Sequence, residues 1–411
     1  MKKNCLVAQS GGPTVAINAS LAGVISRALE SEEIDIIYGG RNGIQGILKE
    51  DFIQLSDIFA TREERNKLIK TPAMYLGSCR YKMKKPSEDE SDYKRLCEIF
   101  QKYDIGYFFY IGGNDSMDTV LRLSEYAKEK GLDVKVVGVP KTIDNDLALI
   151  DHTPGFGSAA KYIATSILEM AHDTYIYDMK TVLIVEIMGR NAGWLTASAA
   201  LARNENQNAP HIICLPEIPF SKAAFMKKVQ DCLADSKYVI VAVSEGIRDE
   251  SGQYVSSSGD QVDQFGHTML CGTGEVLRNL ISKEIGCKVR NVELNVLQRS
   301  ASHISSKTDL KESENLGQKA VELALEGKNG VMAILERVSN DPYAICYGAG
   351  DIRKIANVEK KVPRSMISED GFDVTEEMMV YLRPLILGEM EIPYVNGLPS
   401  YLLADGVLVT G

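Results

Sequence analysis

Residues 134–146 read VKVVGVPKTIDND. The first part, residues 134–139, is short, mostly apolar and rich in valine, which is the pattern of a strand covered on both faces. Pro140 closes it, and a turn carrying Lys141, Thr142, Asp144 and Asp146 follows. The same rhythm recurs at residues 5–8, 107–111, 181–188, 211–215, 238–243 and 331–335, each an apolar run that stops at a polar or glycine-rich turn. Helix-length stretches lie between the runs, among them residues 15–29, residues 117–130 before Gly131, and residues 192–203. Alternation of this kind predicts an α/β fold of doubly wound, Rossmann-like parallel sheets, in which ligands collect beyond the carboxyl ends of the strands. The chemistry is therefore to be sought in the turns that follow the apolar runs.

A chain of 411 residues is too long for one compact core and points to two domains. With 45% hydrophobic and 25% charged residues it has the make-up of a folded protein rather than a disordered one. A formal net charge of −10 argues against a nucleic-acid partner. The local exception is Arg80, Lys82, Lys84 and Lys85, which read equally as a solvated loop face or as a phosphate-facing patch. The eight cysteines contain no CxxC and the five histidines are dispersed, so neither a zinc site nor a disulfide framework is expected. No stretch has the core of a signal peptide or approaches the ~20 apolar residues of a membrane span, so the expected setting is cytoplasmic with no membrane partner. Residues 248–275, rich in Ser, Gly and Asp, read as a long surface connection, and beyond about residue 345 the alternation lapses into a C-terminal extension.

Several turns carry groups suited to phosphate chemistry. Ser10, Gly11, Gly12 and Pro13 stand between a strand and a helix, where backbone N–H groups can approach an anion; alone, a ligand-free tight turn is as good a reading. Gly112–Ser116, reading GGNDS, repeats the arrangement and adds Asp115, although Asn or Asp there also serves as an ordinary helix cap. The PKTIDND turn is the most informative. One carboxylate can accept a proton while its neighbour orients a metal or shapes the field, and the lysine supplies positive charge for a transferring phosphoryl group. Arg190, in Met188-Gly189-Arg190-Asn191, is suited to bidentate phosphate recognition, and Glu245 could accept hydrogen bonds from sugar hydroxyls. Arg290 and Arg299 bracket residues 294–298 and form a candidate cradle for a sugar phosphate.

The ordered set of a Gly-Gly turn, GGNDS, PKTIDND, MGRNAG, SEG and a late R-x8-R ending in LQR resembles the phosphofructokinases over about residues 5–300. The resemblance implies two α/β domains with the active site between them, and phosphoryl transfer to the 1-hydroxyl of fructose 6-phosphate. Residues 1–139, joined by part of 300–345, would then bind the phosphoryl donor, residues 140–299 the sugar phosphate, and residues 346–411 would form the C-terminal extension. By the same resemblance Asp144 is the general base with Asp146 beside it, and Thr142 contacts the transferring group. Gly11, Gly12, Arg80, Gly113, Asn114, Asp115 and Ser116 fall on the donor side. Met188, Gly189, Arg190 and Glu245 hold the sugar, and Arg290 and Arg299 grip its phosphate. Lys180 stands beside Thr181, where the family has an arginine.

Members that use ATP have glycine where this chain has Asp115 and Lys141, so the resemblance implies the pyrophosphate-dependent branch, with ATP as the alternative donor and a non-catalytic regulatory subunit as a more distant reading. Bulk and negative charge at position 115 would meet the α-phosphate of ATP, while Lys141 offers a cation to the compact pyrophosphate. Residues 265–280, with FGH and GTGEVL, also resemble the bacterial members of that branch. Magnesium is implied, with Asn114, Asp115 and Asp146 as candidate ligands; the family has aspartate at the position of Asn114, and an amide is the weaker ligand for a hard cation. A homodimer or homotetramer is implied as well, with Arg290 crossing to a neighbour's site.

Overall fold

The apolar runs become strands of two sheets. In the computed structural model, which describes residues 2–256 and 272–403, the strands are β1 (Lys3–Gln9), β2 (Ile34–Gly40), β3 (Phe52–Gln54), β4 (Ile105–Gly112), β5 (Lys135–Pro140), β6 (Thr181–Ile187), β7 (Ile212–Cys214), β8 (Tyr238–Ser244), β9 (Lys288–Glu293), β10 (Val331–Asn340) and β11 (Tyr343–Asp351). A hairpin of β12 (Tyr394–Val395) and β13 (Leu398–Pro399) follows. The larger sheet has seven strands in the order β11-β10-β5-β4-β1-β2-β3, and the smaller has four in the order β7-β8-β6-β9. All pairings in the smaller sheet are parallel, as are those joining β2, β1, β4, β5 and β10, so only the edges β3 and β11 run antiparallel. The architecture is the doubly wound α/β arrangement that the alternation predicts.

The central strands are legible in the sequence because both of their faces are covered. Phe108, Phe109 and Ile111 on β4 and Val136, Val137 and Val139 on β5 are fully buried, and each such side chain contributes roughly 1.5–3 kcal/mol through removal from water. In the larger sheet β2 lies on one side of β1 and β4 on the other, so strand order reverses between β1 and β4. At such a switch point the connections diverge and leave a crevice beyond the carboxyl ends of the strands.

Elements with weaker apolar signatures depart from the sequence reading. β9 is an edge strand, KVRNVE, with little of its surface buried, and β2 begins in the polar stretch that follows the first helix. Residues 192–203 form a short helix, Trp194–Ser198, followed by a 3-10 turn, Ala199–Ala202. β11 runs through residue 346, where the extension was expected to begin, so the chain is still completing the larger sheet at that point. Its alternating, half-exposed pattern carries no continuous apolar run, which is why it escapes notice in the sequence. Of the expected surface connection at 248–275, residues 257–271, including the FGH piece, lie outside the described residues.

The segment after β11 binds the two sheets together. Ile352, Ile355 and Ala356 enter the core around the larger sheet, whereas Val362, Ile367, Met378, Tyr381, Leu382 and Leu385 enter the core around the smaller one. A second tie is Asp309, whose buried carboxylate accepts from Gly155 N (2.9 Å) and Ser158 N (3.0 Å) at the start of the helix Phe156–Tyr175. Among the described residues no helix is long and apolar enough to cross a membrane.

Candidate active site

Three turns leave the larger sheet side by side, because β5, β4 and β1 are parallel neighbours. Gly11, in the turn after β1, has φ 80°, a left-handed conformation that costs glycine little. A Cβ there would stand 3.0 Å from Lys141 Nζ, so the lysine of the third turn reaches back over the first. The hydroxyls of Ser10 and Ser116 are paired and join the first turn to the second, and Ser78 Oγ donates to Gly11 O (2.8 Å). That last bond brings the GSCR element, and with it Arg80 and Lys82, to the same place. Asn114 and Asp115 open the helix Asn114–Glu129. Asn114 Nδ2 donates to Val358 O (3.1 Å) while its Oδ1 is buried without a partner; the exposed Asp115 carboxylate accepts from Lys82 Nζ at 3.2 Å.

The smaller sheet turns its own carboxyl ends toward these. Met188, Gly189 and Arg190 follow β6, and Glu245 follows β8 with Oε1 accepting from Gly189 N at 3.3 Å. Arg299 follows β9 and crosses the gap, since a Cβ on Gly12 would lie 3.2 Å from its Nη1. The Nε atoms of Arg190 and Arg299 are buried without partners, the condition of guanidinium groups suited to an incoming anion. Between the two sets of turns lies a cleft of about 590 Å³, lined by five cations (Arg80, Lys82, Lys141, Arg190, Arg299) and five carboxylates (Asp115, Asp144, Asp146, Glu245, Glu359). The cleft thus has as many basic as acidic side chains although the chain carries −10 overall. Another concavity of similar size, about 540 Å³, lies at the amino end of β5, but Lys135 and Arg353 there are already paired with Asp133 and Glu125.

Burial sets the protonation states inside the cleft. It pulls the Lys141 ammonium down to about 8 against the attraction of Asp144 and Asp146, which leaves it mostly charged at neutral pH. Burial, reinforced by the charges of Asp144 and Glu359, pushes the Asp146 carboxyl well above the usual carboxylate range. Burial also raises Glu245 to about 7, with the Asp144 charge adding to it, so Glu245 can donate as well as accept near neutrality. Arg299 is shifted downward by burial and then by Arg80, yet a guanidinium keeps its charge at neutral pH. Asp144 Oδ2 accepts from Thr142 Oγ1 at 3.1 Å, and Asp144 N donates to the same hydroxyl at 3.2 Å. Threonine and aspartate therefore hold one another in the turn.

The oxygen donors in the cleft fit a hard divalent cation. Asn114 Oδ1 is an orphaned buried acceptor, and Asp115 and Asp146 line the same space. Among the described residues, however, no group of three or more His, Cys, Asp or Glu side chains is placed to hold a metal, so the protein would furnish only part of a coordination shell. Phosphate oxygens and water complete such a shell in many magnesium sites.

Two candidates from the sequence do not reach the cleft. Lys180 precedes β6 and so lies at the end of the sheet opposite Met188–Arg190. Arg290 sits in the amino-terminal half of β9, opposite Leu183, and its exposed guanidinium lies 3.6 Å from Asp173 and near the Tyr177 ring. The expected Arg290 and Arg299 cradle is therefore not assembled within one chain, because the two arginines occupy different levels of the sheet. Conversely, Asn357 and Glu359 line the cleft from the segment after β11, where no motif or periodicity marked them.

Fold and cleft together define an α/β protein built to hold phosphorylated ligands between two largely parallel sheets. The chain belongs to the phosphofructokinase family, whose profile matches residues 4–324. It is 44% identical over 400 residues to the pyrophosphate–fructose 6-phosphate 1-phosphotransferase of Halomonas elongata, covering 97% of this chain and 95% of that one. It is 42% identical to the protein of the same name from Methylococcus capsulatus, covering 99% and 97% of the two chains. Among solved structures, the pyrophosphate-dependent phosphofructokinase of Nitrosospira multiformis superposes with a TM-score of 0.90 at 41% identity, covering 100% of this chain and 98% of that one.

Proposed function

We propose that the protein transfers a phosphoryl group reversibly from inorganic pyrophosphate to the 1-hydroxyl of fructose 6-phosphate, giving fructose 1,6-bisphosphate and phosphate. The observation that carries this reading is the meeting of Lys141 with the Gly11 turn, in a cleft that also holds Asp115 and Asp144. The similarity to pyrophosphate-dependent relatives over nearly the whole chain supports the same donor. In this reading residues 1–139 with part of 300–345 form the donor half and residues 140–299 the sugar-phosphate half. Gly11, Gly12, Arg80, Gly113 and Ser116 receive pyrophosphate, while Lys141 offsets the charge that develops on the transferring phosphoryl group. Met188, Gly189, Arg190 and Glu245 orient the sugar, Arg299 pairs with its phosphate, and Asp144 takes the proton of the attacking hydroxyl, held in place by Thr142. Magnesium is the cation that Asn114, Asp115 and Asp146 would hold, and when bound it supplies further neutralisation of phosphate charge.

The test is direct. Protein supplied with magnesium and fructose 6-phosphate should form the bisphosphate from pyrophosphate, and should run in reverse from phosphate and the bisphosphate. ATP turnover equal to or above that with pyrophosphate would overturn the choice of donor. A regulatory subunit without catalysis is disfavoured by the presence of Lys141, Asp144 and Asp146 together in the cleft. The seven cysteines among the described residues are all free thiols, in keeping with a reducing, cytoplasmic setting.

The position of Arg290 supports a homodimer or a larger homo-oligomer. It is exposed on the edge strand β9, two residues from the exposed Val292, and the exposed Tyr175, Ile176 and Met179 lie just before β6, the strand that pairs with β9. In this reading the surface meets a second copy, and Arg290, with Lys180 at the same end of the sheet, completes the neighbour's sugar-phosphate pocket. Mixing inactive Asp144→Asn protein with Arg290→Ala protein, under conditions that exchange subunits, should then restore activity, since one hybrid site keeps both residues. A monomeric active enzyme, or verified hybrids without recovery, would place Arg290 outside the chemistry.

A further inference from the structure

Between the two carboxylates of the PKTIDND turn stands Asn145, which is fully buried and has φ 56°. A left-handed conformation is tolerable for asparagine but has to be held by its surroundings. Every polar atom of the side chain is engaged. Oδ1 accepts from Thr153 N (3.1 Å) and lies 3.4 Å from Lys360 Nζ, and Nδ2 donates to Tyr381 Oη (2.8 Å). Two of these three partners come from the segment after β11, more than 200 residues along the chain.

Lys360 grips the same loop at several points. Its backbone N donates to Asp146 O (2.7 Å), and its ammonium donates to Asp151 O (2.8 Å) and Ile150 O (3.0 Å). Trp194 Nε1 donates to Lys360 O (3.0 Å), and the lysine ammonium lies over that indole, 5.2 Å from the ring centroid. Tyr381 Oη donates to Asp151 O (2.7 Å), and the tyrosine ring packs against Trp194. Lys360 and Tyr381 thus close the loop from 145 to 151 by hydrogen bonds to its carbonyls and to the Asn145 side chain, without lining the cleft themselves.

We infer that Lys360, seconded by Tyr381, is a positioning residue for phosphoryl transfer: it locks Asn145 and thereby sets the directions of the Asp144 and Asp146 carboxylates. The inference rests on the assignment of Asp144 as the base. Displacing a reacting group by about 1 Å can cost on the order of 10²-fold in rate, whereas the side chains assigned to the sugar, Arg190, Glu245 and Arg299, lie on other segments.

The test is a double-mutant cycle in the full-length protein. Lys360→Met keeps an unbranched side chain of similar length and removes the ammonium; it should lower kcat with pyrophosphate by roughly 10- to 100-fold while the KM for fructose 6-phosphate changes by less than about 3-fold. Combined with Asp144→Asn, it should cost almost nothing more, because the group that it positions is already gone. Tyr381→Phe preserves shape and deletes only a hydroxyl, and should lower kcat by roughly 3- to 10-fold; it carries the test if Lys360→Met does not fold. A role confined to stability would lower the melting temperature of both variants and leave kcat at assay temperature near wild type, which would overturn the inference. Equal further loss in the Asp144→Asn background would overturn it too. If Asp144→Asn alone proves fully active, the assignment of the base has failed rather than the role of Lys360.

Discussion

Asp144→Asn is expected to lower kcat by roughly 10²- to 10⁴-fold in both directions, the usual worth of a positioned proton acceptor. The amide keeps the size of the carboxylate and can still meet Thr142 Oγ1, which stands 3.1 Å from Asp144 Oδ2, so the turn should keep its shape. What is lost is the ability to take the hydroxyl proton. Burial, which the substitution leaves in place, still holds the Asp146 carboxyl above the usual carboxylate range, so part of the protein carries it protonated and unable to accept the proton. Fructose 6-phosphate affinity, measured by calorimetry on the inactive variant, should stay within a few-fold, since its contacts are assigned to Met188, Gly189, Arg190, Glu245 and Arg299. Turnover within about 3-fold of wild type would remove Asp144 from the role of base and make Asp146 the candidate.

Asp115→Gly is expected to open the protein to ATP, raising kcat/KM for that donor by at least about 10²-fold, or roughly 2.7 kcal/mol of discrimination. The structure supplies a reason beyond bulk. Asp115 is exposed in the wall of the cleft and accepts from Lys82 at 3.2 Å, so the carboxylate both repels a longer phosphate chain and occupies a cation that such a chain could use. Lys141→Gly should instead impair pyrophosphate turnover, because the buried ammonium beside Gly11 would be gone. The two substitutions face the same phosphates, and their effects should not add. Steady-state kinetics with each donor decide the matter, and an unchanged preference in Asp115→Gly would locate the exclusion of ATP elsewhere.

Lys82 illustrates a limit of reading charge in a sequence. Arg80, Lys82, Lys84 and Lys85 look alike there, yet Arg80 and Lys82 line the cleft while Lys84 lies 3.7 Å from Asp89 on the surface. One side of a loop faces the cleft and the other the outer surface, and composition does not distinguish them.

The sequence by itself determined what depends on neighbours along the chain. Short runs of valine, isoleucine and phenylalanine mark strands buried on both faces, and glycines, caps and paired charges mark the turns beyond them, because both signals are local. It thereby located Gly12, Gly113–Ser116, Lys141, Thr142, Asp144, Asp146, Met188–Arg190 and Glu245, which the two sheets bring to one cleft. Only the tertiary structure decided which distant residues join them. Asn357, Glu359, Lys360 and Tyr381 come from a segment with no regular alternation, and β9 and β11 are half-exposed edges without a continuous apolar run. The separation of Arg290 from Arg299 follows from the register of β9 against β6, which places Arg290 opposite Leu183 rather than at the carboxyl end. Register, edge position and the return of the C-terminal segment are set by contacts between residues far apart in the chain, and such contacts leave no periodicity in it.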